Sequence, residues 1–356
     1  MSQMTPNEIR AAIKADIITP AKGKALLGAS HNGMAETGPL GNAAIGDEEN
    51  LRFLRGFSDV FIAIGIGLLA LGLSALAALL GGGLSFIGAA AIMALLAEYF
   101  GRKRRAHLPT LICALAFLLF IQRGVGVLVY DWGWGAGLTT SIITAAAMVL
   151  FYLRVRLPFC IALIAVSLLY LCYSLLFRAA PNWAGVHFGW VLFSGGLGCF
   201  ITALLYDIKD LHRKTRFSDN AFWLHFTAAP LIIHGLALEA VSLKSEMLFN
   251  LVPVVTLTDS DAFIILLIVA VIILIGLAIN RRALIVSSLG YAAIAIGFLA
   301  HKTGAGFGMS AAMALLCIGA GIVLLGAAWH GLRNRLITLL PKWRIFPPPY
   351  DPDFKA

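Results

Sequence analysis

Apolar residues run in ten long stretches between Phe57 and His330, at 57–80, 84–100, 108–130, 137–153, 157–177, 186–206, 220–239, 261–279, 283–300 and 306–330. Each approaches or exceeds the roughly 20 residues that a helix needs to cross a hydrocarbon core about 30 Å thick. Within hydrocarbon a single stretch can bond all its own N–H and C=O groups only as a helix. The pattern therefore predicts an all-α membrane protein, a bundle of ten transmembrane helices. The connections alternate in charge. Arg102 to Arg105, then Arg154 and Arg156, then Lys209, Arg213, Lys214 and Arg216, then Arg281 and Arg282 fill every second one. The others hold Arg178, Lys244 and Lys302, or nothing basic. Of 27 Lys and Arg, 23 fall on one side, three on the other, and Arg123 lies within a span. By the positive-inside rule both termini are cytoplasmic, and the expected location is the bacterial inner (plasma) membrane.

Outside the spans the pattern changes. Thr5-Pro6-Asn7-Glu8 is a capping box with Pro at the first helical position, and Thr19-Pro20 repeats the start signal. Residues 1–28 are thus expected to form a cytoplasmic helical hairpin, too small to bury a core alone. Residues 29–50, rich in Gly and ending in Asp47-Glu48-Glu49, read as a flexible linker. Residues 51–334 are the transmembrane domain, and 335–356, with Pro347-Pro348-Pro349, a Pro-rich cytoplasmic tail. No apolar h-region lies in 1–50, so the first span is expected to direct its own insertion. In the outer connection 240–260, Met247, Leu248, Leu251 and Val252 suggest a short interfacial helix.

An internal repeat is visible as well. Ala94 to Glu98 followed by Arg102 to Arg105 resembles Ala203 to Asp207 followed by His212 to Lys214. Phe120-Ile121-Gln122-Arg123-Gly124 parallels Leu231-Ile232-Ile233-His234-Gly235, and Arg154 with Arg156 parallels Arg281 with Arg282. Spans 2–5 then map onto spans 6–9 in the same direction, a four-helix parallel repeat of a kind known in transporters.

Composition narrows the chemistry. With 60% hydrophobic and 13% charged residues the chain lies outside the range of soluble domains. The net charge of +9 sits in juxtamembrane clusters, which suit anionic inner-leaflet lipids and imply no nucleic acid. The five cysteines form no CxxC pair, and there is no HExxH, no GxSxG and no phosphate loop. No metal and no cofactor is implied. Ionisable groups inside spans are costly, and each is a functional candidate. Asp59, Glu98 and Asp207 lie at helix ends, where the basic connections are within reach. Arg123 sits 15 residues past Leu108, about 22 Å along a helix, with Glu239 its expected acidic partner. Span 7 is the most polar, carrying Asp219, His225, Thr227, Pro230, His234 and Glu239. Trp223, Thr227 and His234 fall near one face, with His225 opposite. Pro230 removes a backbone donor and is expected to kink the helix near Phe226. Arg123, Trp223, His225, Thr227, Pro230, His234 and Glu239 are therefore the candidate residues of a polar cavity. The stretches with Gly185 and Gly189, Gly304 and Gly308, and Gly195, Gly196 and Gly198 are expected to allow close helix contact.

The run from Ser218-Asp219-Asn220 through Trp223, His225 and Pro230 to His234 resembles a motif in uncharacterised bacterial multi-pass inner-membrane proteins, a family with a domain of unknown function. Those proteins tend also to carry a segment like Ile17-Ile18-Thr19-Pro20 before the first span. The resemblance implies an inner-membrane protein and supplies no activity. Three function classes remain: a membrane scaffold, assembly or regulatory protein first, a small-solute permease second, and an enzyme acting on lipid or isoprenoid substrates third. Enzymatic activity is not the leading expectation. The partners implied are the bilayer itself and, through the N-terminal hairpin, a cytoplasmic protein or a second copy of the chain.

Overall fold

The computed structural model describes residues 57–210, 213, 215–240, 245–248, 252–255, 258–304 and 306–341. The hairpin expected at 1–28, the linker at 29–50 and all but the start of the Pro-rich tail lie outside them. Ten helices long and apolar enough to span a membrane follow one another: α1 Phe57–Leu80, α2 Gly83–Ala97, α3 His107–Leu128, α4 Ala136–Val155 and α5 Phe159–Ala179, then α6 Phe188–Lys209, α7 Arg216–Ala240, α8 Asp259–Ala278, α9 Arg282–Lys302 and α10 Phe307–Leu339. A π-helical turn, Glu98–Lys103, extends α2. The all-α fold expected of the sequence is the fold observed.

The ends follow local signals. Thr258 and Asp261 cap α8 reciprocally, each side chain bonding the other residue's amide. α10 runs to Leu339, past the boundary at 334, and stops just before Pro341. Residues 245–248 and 252–255 pair as an antiparallel ribbon, Ser245 opposite Val255, in place of the interfacial helix expected there. Pro253 and its β-branched neighbours explain the difference, since they favour extended backbone over helix.

Packing divides along the chain. One apolar core joins α1 to α5 around Met93, Cys113, Met148 and Cys160. A second joins α7, α8 and α9 around Ile233, Ile265, Ile272 and Leu284. Between them Ile161 and Ala165 of α5 rest on Cys199, Ala203, Leu224 and Ala228 of α6 and α7. α1 and α10 flank the bundle. The latter buries only Ser310, Ala314, Trp329 and Arg333.

Several local devices occur more than once along the chain. Arg105 and Arg213 turn the chain after α2 and α6 with φ of 55° and 53°, and Arg156 and Asn280 turn it after α4 and α8 with φ of 54° and 58°. Non-glycine residues visit this left-handed region rarely. At the opposite end of the helices Gly124 of α3 backs onto Gly83 of α2, while Gly235 of α7 backs onto Gly189 of α6. Of the glycines expected at helix contacts, Gly189, Gly195 and Gly196 make them; Gly185, Gly198, Gly304 and Gly308 face open space. Pairs four apart on a helix share a face, but sequence alone does not tell which face meets another helix.

Candidate functional site

One cluster of buried polar side chains, His225, Asn280 and Arg281 with Asp207, forms where the basic connections meet. α8 ends in a Schellman turn: the amide of Arg281 donates to Gly276 O at 2.7 Å and that of Asn280 to Leu277 O at 3.3 Å. Asn280 takes the left-handed position at the turn, and Arg281 follows it directly. The Arg281 side chain is 1% exposed and reaches the last turn of α6. There its Nε donates to Oδ1 and Oδ2 of Asp207, at 3.1 and 3.2 Å, and its Nη2 also bonds Oδ1. Nη2 lies 3.3 Å from Ser218 Oγ at the start of α7.

The same carboxylate accepts a hydrogen bond from α7. His225 Nε2 lies 2.8 Å from Asp207 Oδ2, and the imidazole is fully buried, its edge against the Phe200 ring at 5.4 Å. Because a carboxylate oxygen accepts, Nε2 carries the proton in this contact. Nδ1 is buried with no hydrogen-bond partner among the described residues. The charges of Asp207 and Arg281 offset each other beside it, which is how a charge is tolerated in a low-dielectric interior.

Further bonds extend the node to other elements. Arg213 Nη2 donates to Asn280 O at 2.7 Å, tying the α6–α7 turn to the α8–α9 turn. Asp210 accepts from the Thr215 amide and hydroxyl at 2.8 and 2.6 Å, closing its own turn. Trp329 of α10 donates its indole N–H to Asn280 Oδ1 at 2.9 Å and lies under the Arg282 guanidinium, 5.0 Å away. Trp329 itself is buried. A second carboxylate at a helix end, Glu98, is held more simply. Glu98 accepts from Arg154 Nε and Nη2, both at 2.9 Å, and from Arg102 at 2.7 Å, with Arg154 64% exposed. Both carboxylates thus reach basic connections, as their positions at helix ends suggest.

The seven candidate residues do not converge. Only His225 belongs to the node. Trp223 packs edge-on against Phe159 at 4.7 Å, and Thr227 donates back to Trp223 O at 2.9 Å. α7 continues as helix through Pro230, whose carbonyl accepts from Tyr291 at 3.3 Å. His234 is exposed on the helix flank, its ring 6.3 Å from that of Tyr291. Glu239, expected beside Arg123, instead accepts from the Trp190 amide at 3.1 Å and lies 3.8 Å from His187 Nδ1. Arg123 is exposed and has no ion pair among the described residues. Asp207, Ser218, Asn280 and Arg281 were not singled out as a site by the sequence. Their signal was the recurrence of a carboxylate ending spans 2 and 6 and of arginines preceding spans 5 and 9. Comparison with protein-family models, curated proteins and solved structures finds no match to this chain.

Proposed function

We propose that this chain is a membrane scaffold, assembly or regulatory protein, held in the bacterial inner membrane with its basic connections and both termini in the cytoplasm. One observation carries the reading: a cluster of ionisable side chains at one end of the bundle is bonded within itself and fastens four segments together. Asp207, His225 and Arg281, with Asn280 and Trp329, join α6, α7, the α8–α9 turn and α10. Mid-depth positions of α7 such as Ala228, Ala229 and Ile233 are fully buried among apolar side chains. The orientation follows from the charge bias, since Lys and Arg near the spans favour the cytoplasmic side.

The same reading takes α2–α5 and α6–α9 as two copies of one four-helix unit, running in the same direction. The paired glycines, the left-handed residues in matching turns and the two carboxylate–arginine bridges support it.

Cysteine accessibility tests the function. In a cysteine-free background, single cysteines at Ala228 and Ile233 should resist membrane-impermeant thiol reagents from both sides. Rapid modification at either position, suppressed by a solute, would replace the scaffold reading with a permease.

A further inference from the structure

At the end of the bundle remote from the node, a pocket of about 400 Å³ opens between the start of α4 and the end of α5. That is within the roughly 300–1,000 Å³ range of small-molecule sites. On the α5 side Tyr170, Tyr173 and Phe177 recur at helical spacing, with Ser174 beside them and Arg178 at the mouth. Tyr170 to Arg178 spans eight residues, so the groove runs about 12 Å inward from the helix end. The facing wall is low because Gly133 and Gly137 leave space where side chains would stand. Gly133 has φ 57° and ψ −127°, a conformation that glycine alone adopts readily, and it breaks the chain just ahead of α4.

The chemistry at the mouth differs from that along the walls. Arg178 lies 19 residues after Phe159, about 29 Å along α5, which brings it to the membrane surface opposite the node. Sequence places three basic residues on this side, Arg178, Lys244 and Lys302. Lys302 is paired with Asp259, whereas Arg178 has no acidic or hydrogen-bonding partner among the described residues. Its guanidinium stands in the last turn of α5, where the helix dipole favours a cation. The planar fork of N–H donors matches a phosphate in charge and geometry. Ser174 already spends its hydroxyl proton on Tyr170 O at 2.9 Å, so the groove below Arg178 is walled by aromatic rings and short side chains.

We propose that this groove binds an anionic phospholipid of the adjoining leaflet, with its phosphate on Arg178 and one acyl chain along Tyr170, Tyr173 and Phe177. The site is separate from the polar node and does not depend on the scaffold reading. The rings supply the apolar contact, and Arg178 supplies selectivity for a phosphate headgroup over a neutral one.

Native mass spectrometry of the full chain in detergent tests it, with phosphatidylglycerol, diacylglycerol and inorganic phosphate as probes. The unaltered protein should retain phosphatidylglycerol about tenfold better than Arg178→Gln, the effect of one lost charge-assisted contact. Diacylglycerol should bind both equally and weakly, and inorganic phosphate should not displace the phospholipid. Gly137→Leu should block the groove; nothing lies within 4 Å of the added Cβ. A phosphatidylglycerol with a photoreactive acyl chain, used on the unaltered protein, should label α4 and α5. Equal retention by Arg178→Gln, displacement by inorganic phosphate, or labelling confined to other helices would each overturn the proposal.

Discussion

Asp207 and Glu98 each end a helix and each hold an arginine, yet they sit in different surroundings. Arg281 is 1% exposed, and Arg154 64%. Removing one partner of a buried pair leaves the other charged and desolvated, at a cost of about 3–5 kcal/mol. An exposed pair contributes only about 0–1 kcal/mol. Arg281→Ala should therefore lower the stability of the purified protein by several kcal/mol, whereas Arg154→Ala should leave it within about 1 kcal/mol. Denaturant titration of both variants in one detergent checks the contrast. Equal losses would mean that burial does not distinguish the two bridges. Asp207 also holds a histidine, the fully buried His225, which Glu98 lacks among the described residues.

Helix contacts rest on glycine where backbones cross. A Cβ on Gly235 would fall 2.5 Å from Phe193 N and 2.6 Å from Gly189 O, and backbone atoms cannot swing aside. Gly235→Ala should force α6 and α7 apart at about 1–3 kcal/mol, read as a lowered melting temperature and yield. Gly319→Ala on α10 meets nothing within 4 Å and should be silent or slightly stabilising. A silent Gly235→Ala would show that this crossing is looser than its distances indicate. The elements themselves were legible: nine of the ten helices begin within two residues of the apolar stretches, because hydrocarbon leaves a spanning segment no alternative to helix. The exception, α7, starts at Arg216 instead of 220, adding a polar first turn in which Ser218 lies against Arg281. Which glycines meet was not legible. Gly83, Gly124 and Gly235 have no spaced partner on their own helix, and the contact exists only once two helices cross.

Across the whole molecule, side-chain contacts sort the connections into two ends without reference to the charge bias. Glu98 with Arg154 places the α2–α3 turn beside the α4–α5 turn. Asp207 with Arg281 and Arg213 with Asn280 do the same for α6–α7 and α8–α9, and Trp329 brings α10 to that end. At the other end Gly83 meets Gly124, Glu239 meets Trp190, and Lys302 meets Asp259. The node was missed because its members are far apart in the chain, Asp207 and Arg281 by 74 positions, and a polar residue near a span end reads equally as a headgroup contact. His234 and Glu239 stand out in the sequence of span 7 because they are polar, but they lie away from the node. Topology labelling tests the two-ended arrangement and its orientation together. Single cysteines at Gly82, Ser245 and Thr303 should react with an impermeant maleimide added to intact cells. Cysteines at Arg104 and Thr215 should react only after the membrane is opened, since both lie among the basic connections and positive charge is retained on the cytoplasmic side. Exchange of the two groups would invert the protein with its fold intact. Labelling that splits Arg104 from Thr215 would break the arrangement itself, because the contacts put both turns at the end where α4 meets α5 and α8 meets α9.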